Sequence, residues 1–133
     1  MIPLALLLAV QSVAVAEADP QATDACEDMV TQADMTQCAW QDFEKADAEL
    51  NAQWKLTAAA MKARDRHVDD DRPGDFDTLL AAQRAWLTYR DQHCLGEGYL
   101  MRGGSAEPML RGSCKAELTR QRTKQLQELI GDY

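Results

Sequence analysis

The four cysteines, Cys26, Cys38, Cys94 and Cys114, have the widest chemistry open to them. Four thiolates can hold zinc, but structural zinc sites bring in their ligands as closely spaced pairs, and no C-x-x-C pair occurs here. Oxidation is the better reading, because an even set can pair completely in an exported chain. Three connectivities are open. The local ones, Cys26 with Cys38 and Cys94 with Cys114, are favoured because each brackets a segment that reads as a helix-to-helix turn. Closing loops of this size contributes about 3 kcal/mol each on chain-entropy grounds. Thiols so used are not available as nucleophiles.

Carboxylates supply the next candidate. Asp69, Asp71, Gly74, Asp75 and Asp77 partly follow the order of a calcium-binding loop. Pro73 occupies the fifth position, where an oxygen ligand is needed, and Leu80 the twelfth, where a bidentate glutamate belongs. A solvated acidic turn around Asp69, Asp70 and Asp71 is expected instead, with no bound metal. His67 and His93 lie on different elements, and neither sits in a motif with a matching serine or cysteine nucleophile. C-x-x-C-H is absent, so no haem attachment is expected. No glycine-rich loop follows a strand and opens a helix, so a phosphate cradle is not supported. The expectation is a protein without catalysis and without a cofactor.

The stretch Ala82–Cys94 carries a different kind of constellation. Gln83, Trp86, Arg90 and Cys94 fall on one face of a helix, with Asp91 beside them. A guanidinium on a buried face costs several kcal/mol unless carboxylates or carbonyls receive it, so Arg90 needs partners. This reads as a structural polar and aromatic seam.

These residues need rods to hold them. Met35, Ala39, Phe43, Ala46, Leu50, Trp54, Thr57 and Met61 recur at steps of three and four, one stripe on a helix from about Gln32 to Arg66. Thr31 followed by Asp34 has the form of its start. Such a helix is about 50 Å long. Pro73-Gly74 marks the first turn, and a second helix is expected from about Phe76 to His93. Asp75 or Asp77 would cap it, and Leu79, Leu80, Trp86 and Leu87 would be its apolar side. Four of the seven glycines follow between Leu95 and Pro108, a compact connecting loop. Pro108 opens a third helix, with Ser105 or Glu107 near its cap. Leu110, Cys114, Leu118, Gln125, Leu126 and Leu129 form its buried side, and Gly131 ends it. The basic run Arg120–Lys124 is expected to pair with carboxylates of the long helix. No alternating β-branched run occurs. The fold class is all-α: one long helix with two shorter helices packed along it, elongated and stapled by disulfides.

Met1–Ala16 is uncharged and rich in leucine and valine, too short to span a membrane and suited to a signal peptide. Small residues at Ala14, Ala16 and Ala18 put the expected boundary near residue 18, leaving 19–133 as a single helical domain, periplasmic or secreted. The net charge is −8, and removing residues 1–18 takes away only Glu17, leaving −7. That balance argues against nucleic acid and anionic lipid and favours a basic macromolecular partner.

Cys26, the Met35–Ala39 segment, Lys45–Asn51, the run from Ala82 to Asp91, Gly103-Gly104-Ser105 with Pro108, and Cys114 with Leu118, Thr119 and Arg122 together form a pattern. Over about residues 26–129 it resembles the lysozyme inhibitor LprI N-terminal domain family. The resemblance implies a small, helical, disulfide-bearing bacterial envelope domain, in a family named for a mycobacterial lipoprotein that inhibits lysozyme. No cysteine closely follows the apolar leader here, so no lipid anchor is expected after cleavage. The implied partner is a basic protein such as a lysozyme. Arg102, Gly103, Gly104 and Ser105 would form a donor-bearing tip for a cleft that holds two carboxylates, and Asp69, Asp70 and Asp71 would face a basic rim. The alternative is a periplasmic interaction or structural module for some other envelope component. Pull-down from periplasmic extract separates the two.

Overall fold

The computed structural model describes residues 26–131, and the expected signal peptide at residues 1–18 lies outside them. Three helices make up the architecture: α1 Gln32–Asp65, α2 Asp75–Gly98 and α3 Glu107–Glu128, with a 3-10 turn at Tyr99–Met101. No strand occurs among the described residues.

The start of α1 is closed by a capping box. Thr31 Oγ1 accepts from the Asp34 amide at 3.1 Å, and Asp34 Oδ2 accepts from the Thr31 amide at 3.3 Å, which satisfies two amides that the helix leaves unpaired. From there 34 residues run without interruption, about 50 Å. Every member of the stripe from Met35 to Met61 is buried or half-buried.

α3 lies parallel to α1, and α2 antiparallel to both. Three contacts fix the parallel pair along its length. Trp40 Nε1 donates to the Pro108 carbonyl at 3.0 Å, Thr57 Oγ1 to the Leu126 carbonyl at 3.0 Å, and Arg64 Nη2 to the Leu129 carbonyl at 2.7 Å. Thr57 is fully buried, so its hydroxyl needs that acceptor. Leu50, Met61, Leu79 and Leu126 form the core, flanked by Trp54, Phe76, Trp86 and Ile130. Close approach requires glycine at two crossings. A β-carbon on Gly112 would sit 3.1 Å from Trp40 Nε1, and one on Gly98 would sit 3.3 Å from the Glu107 carbonyl.

Two disulfides staple the bundle. Cys26–Cys38 (Cα–Cα 4.9 Å) ties the segment before α1 back onto it, and Cys94–Cys114 (Cα–Cα 5.4 Å) locks α2 to α3.

The structure departs from the expectations in five places. α2 continues past His93 to Gly98, because Gly96 is carried inside the helix and Gly98, its last residue, serves the contact with α3. Leu87 is not on its packed face and is exposed, whereas polar Gln83 and Arg90 are buried. The cap of α2 comes from α1. Gly74 occupies the N-cap position, and Asp65 takes the Asp75 amide at 2.6 Å and the Phe76 amide at 3.1 Å. Neither Ser105 nor Glu107 caps α3, whose N-cap is Ala106. Its packed side uses Gly112, Cys114, Ala116, Thr119 and Leu126, while Gln125 and Leu129 are exposed.

Candidate functional site

Gln83, Trp86, Arg90 and Asp91 come together in mid-molecule, where α2 meets both other helices. Arg90 is 6% exposed. Its Nε donates to Asp91 Oδ1 at 3.0 Å, and its Nη1 lies 3.4 Å from Thr119 Oγ1 and 3.6 Å from Asp47 Oδ1. The guanidinium carbon is 5.1 Å from the Phe43 ring centroid and 5.2 Å from that of Trp86, so the cation also gains from the ring faces of α1 and α2. Lys115 of α3 joins the cluster, with Nζ 3.4 Å from Asp91 Oδ1 and 4.6 Å from the Phe43 centroid. Partial burial works against the Asp91 carboxylate. The hydrogen bonds and charges of Arg90 and Lys115 outweigh it and hold the pKa below the usual carboxylate value. Every charge in this seam has a partner from another side chain, which suits a structural role.

Gln83 shares a helix face with Trp86 and also reaches across to α3. Its Oε1 accepts from Arg122 Nε at 2.8 Å, and Arg122 Nη1 donates to Gln125 Oε1 at 3.1 Å. The basic run of α3 therefore divides. Arg120 pairs with Asp42 of the long helix at 2.9 Å, whereas Arg122 is received by amides alone. Spacing along α3 cannot distinguish the two, since only the position of α2 decides which arginine is covered.

The tip between α2 and α3 is tightly built. Arg102 N donates to the Tyr99 carbonyl at 3.1 Å, Gly104 N to Met101 at 2.8 Å, and Glu107 N to Gly104 at 3.3 Å. Glu107 Oε2 accepts from the Gly103 amide at 2.8 Å. Gly103 has φ +78°, a left-handed conformation that a β-carbon disfavours. On this frame Leu100 is 78% exposed, beside exposed Tyr99, Met101 and Ser105. Arg102 holds its guanidinium 4.4 Å from the Tyr99 ring centroid and forms no ion pair among the described residues.

The acidic loop lies at the other end. Asp70 accepts from Arg72 three times, from the backbone amide at 2.9 Å, Nη2 at 2.8 Å and Nε at 3.2 Å, and these bonds hold its carboxyl below the usual range. Asp69 and Asp71 are exposed. The whole of α2, 24 residues or about 36 Å, separates this loop from the tip, so one cleft cannot take both. Among the described residues, His93, Glu97 and Cys114 form the one grouping with metal-ligand spacing, and Cys114 is already bonded to Cys94. No helix among the described residues is long and apolar enough to cross a membrane.

A three-helix, doubly stapled rod with one ordered, cation-bearing tip is the class this geometry defines. The chain belongs to the lysozyme inhibitor LprI family, whose profile matches residues 22–126. It is 48% identical over 108 residues to an uncharacterized protein of Rhizobium meliloti (strain 1021), a match covering 79% of this chain and 78% of that protein. No solved structure matches.

Proposed function

We propose that this protein is exported to the bacterial envelope and binds a lysozyme, blocking it by contact rather than by reaction. The observation that carries the reading is membership of a family described by lysozyme inhibition. The state of the reactive side chains supports contact rather than reaction. The four cysteines are oxidised, and Asp42, Asp70 and Asp91 are each committed to a neighbouring cation.

The tip is the favoured contact surface. A lysozyme cleft presents two carboxylates, which bulk negative charge cannot fill and a guanidinium with an apolar neighbour can. Arg102 and Leu100 supply that pair on a backbone that needs little further ordering. The net charge, −7 once residues 1–18 are removed, adds long-range attraction to a basic enzyme, and Asp69 and Asp71 extend it to the far end. Titrating c-type and g-type lysozymes with the oxidised protein, and following lysis of a bacterial suspension, tests the proposal. Stoichiometric loss of lysis by at least one type is expected. Full activity of both at micromolar inhibitor removes the reading and leaves the interaction module.

A further inference from the structure

The cleft beside the end of α3 is lined by none of the tip residues, and its chemistry points to a different ligand. Its volume is about 390 Å³, near the lower end of small-ligand pockets. Met61 of α1, Leu79 and Ala82 of α2 and Leu129, the C-cap of α3, give it apolar walls. Two arginines also line it, and they differ. Arg64 is engaged by the Leu129 carbonyl, whereas Arg122 is half-buried with only amide oxygens as acceptors.

Arg122 is a charge without an opposite charge. Its Nε and Nη1 are used by Gln83 and Gln125, its guanidinium carbon lies 6.0 Å from the Trp86 ring centroid, and Nη2 has no acceptor among the described residues. No carboxylate there comes within ion-pair distance of it. Burial disfavours its charged form, yet an arginine remains protonated, so an anion entering the cleft would meet a cation that no carboxylate balances. Asp75 also faces the cleft, from the first turn of α2, but it lies outside ion-pair distance of both Arg64 and Arg122.

We propose that this cleft binds the anion of a medium-chain fatty acid, with the carboxylate on Arg122 and the alkyl chain against Met61, Leu79, Ala82 and Leu129. The site is independent of the tip and of the lysozyme reading. A guanidinium receives a carboxylate through two parallel N–H donors, and the apolar walls take a chain that water excludes.

Decanoate is the probe, titrated into the full oxidised protein while amide resonances and tryptophan emission are followed, with decanol and acetate as controls. Saturable one-to-one binding of decanoate is expected, with shifts centred on Leu79, Ala82 and Leu129. Decanol and acetate should each bind at least about tenfold more weakly, and Arg122→Gln should lose about tenfold in affinity. Ala82→Phe narrows the cleft from an exposed position and should abolish binding without unfolding the chain. Binding of decanol or acetate as tight as that of decanoate, shifts confined to the tip, unchanged affinity in Arg122→Gln or Ala82→Phe, or no saturation at millimolar decanoate would each overturn the proposal.

Discussion

Asp65, the last residue of α1, places its carboxylate 2.6 Å from the amide of Asp75, the first residue of α2. One helix thereby caps the next across the acidic turn. Gly74 makes room for this, since a β-carbon there would stand 2.9 Å from Asp65 Oδ1. Asp65→Ala should cost about 1–2 kcal/mol, the range for loss of an N-cap. Gly74→Ala should act by displacing the same carboxylate, so the double variant should cost less than the sum of the two. Urea titrations of the four proteins measure that coupling, and strict additivity would show the two residues to be independent.

Arg90 fills the space between Phe43 and Trp86 as well as carrying charge. Arg90→Ala should destabilise by about 2–4 kcal/mol through lost packing in a closed site. Arg90→Met keeps an unbranched stem between the rings and leaves behind two partly exposed carboxylates and one long hydrogen bond lost at Thr119, so it should cost distinctly less. Thermal denaturation followed by circular dichroism ranks them. An equal loss in both would mean that the charge, not the volume, holds the seam.

The depressed pKa of Asp91 has a definite sign for stability against pH. A carboxyl bound more strongly as its anion in the folded chain stabilises above its unfolded pKa, about 3.9, and that contribution is lost as pH falls through the lower folded value. The stability gap between the native protein and Asp91→Asn should therefore be present at pH 7 and close as pH drops below about 4. Paired denaturant curves across that window measure it. A gap that widens toward acid would reverse the assignment.

The two disulfides should not reduce alike. Cys94 and Cys114 are buried, whereas Cys26 and Cys38 are half-exposed near the start of α1. Under limiting reductant with alkylation and mass spectrometry, Cys26 and Cys38 should be labelled first. Removing the Cys94–Cys114 bond should cost about 3 kcal/mol and speed hydrogen exchange at Gly103 and Gly104, because it anchors the two helices that carry the tip.

Much of the fold is legible in the chain because α1 obeys the simplest rule. Its stripe is continuous, and Thr31 and Asp34 mark its start unambiguously. α2 is harder, because its packed face carries Gln83, Arg90 and Gly98 rather than a row of leucines, so apolar periodicity pointed to Leu87, which is exposed. Glycine usually ends a helix, but Gly96 lies within α2, which runs on to Gly98, where α3 crosses closely, a long-range fact. The need of Arg90 for partners follows from electrostatics. Their identity, Asp47 and Thr119 with Asp91, depends on how three helices meet, as does the isolation of Arg122.

Recognition of a lysozyme through the tip is tested by calorimetric titration of a c-type lysozyme with native protein, Leu100→Asp, Arg102→Ala and Asp70→Asn. One-to-one binding is predicted for the native chain, with at least about a tenfold loss in each tip variant, and Asp70→Asn close to native. Equal affinity in all four would contradict the assignment of the tip, and no measurable heat from the native protein at micromolar concentration would contradict the function itself.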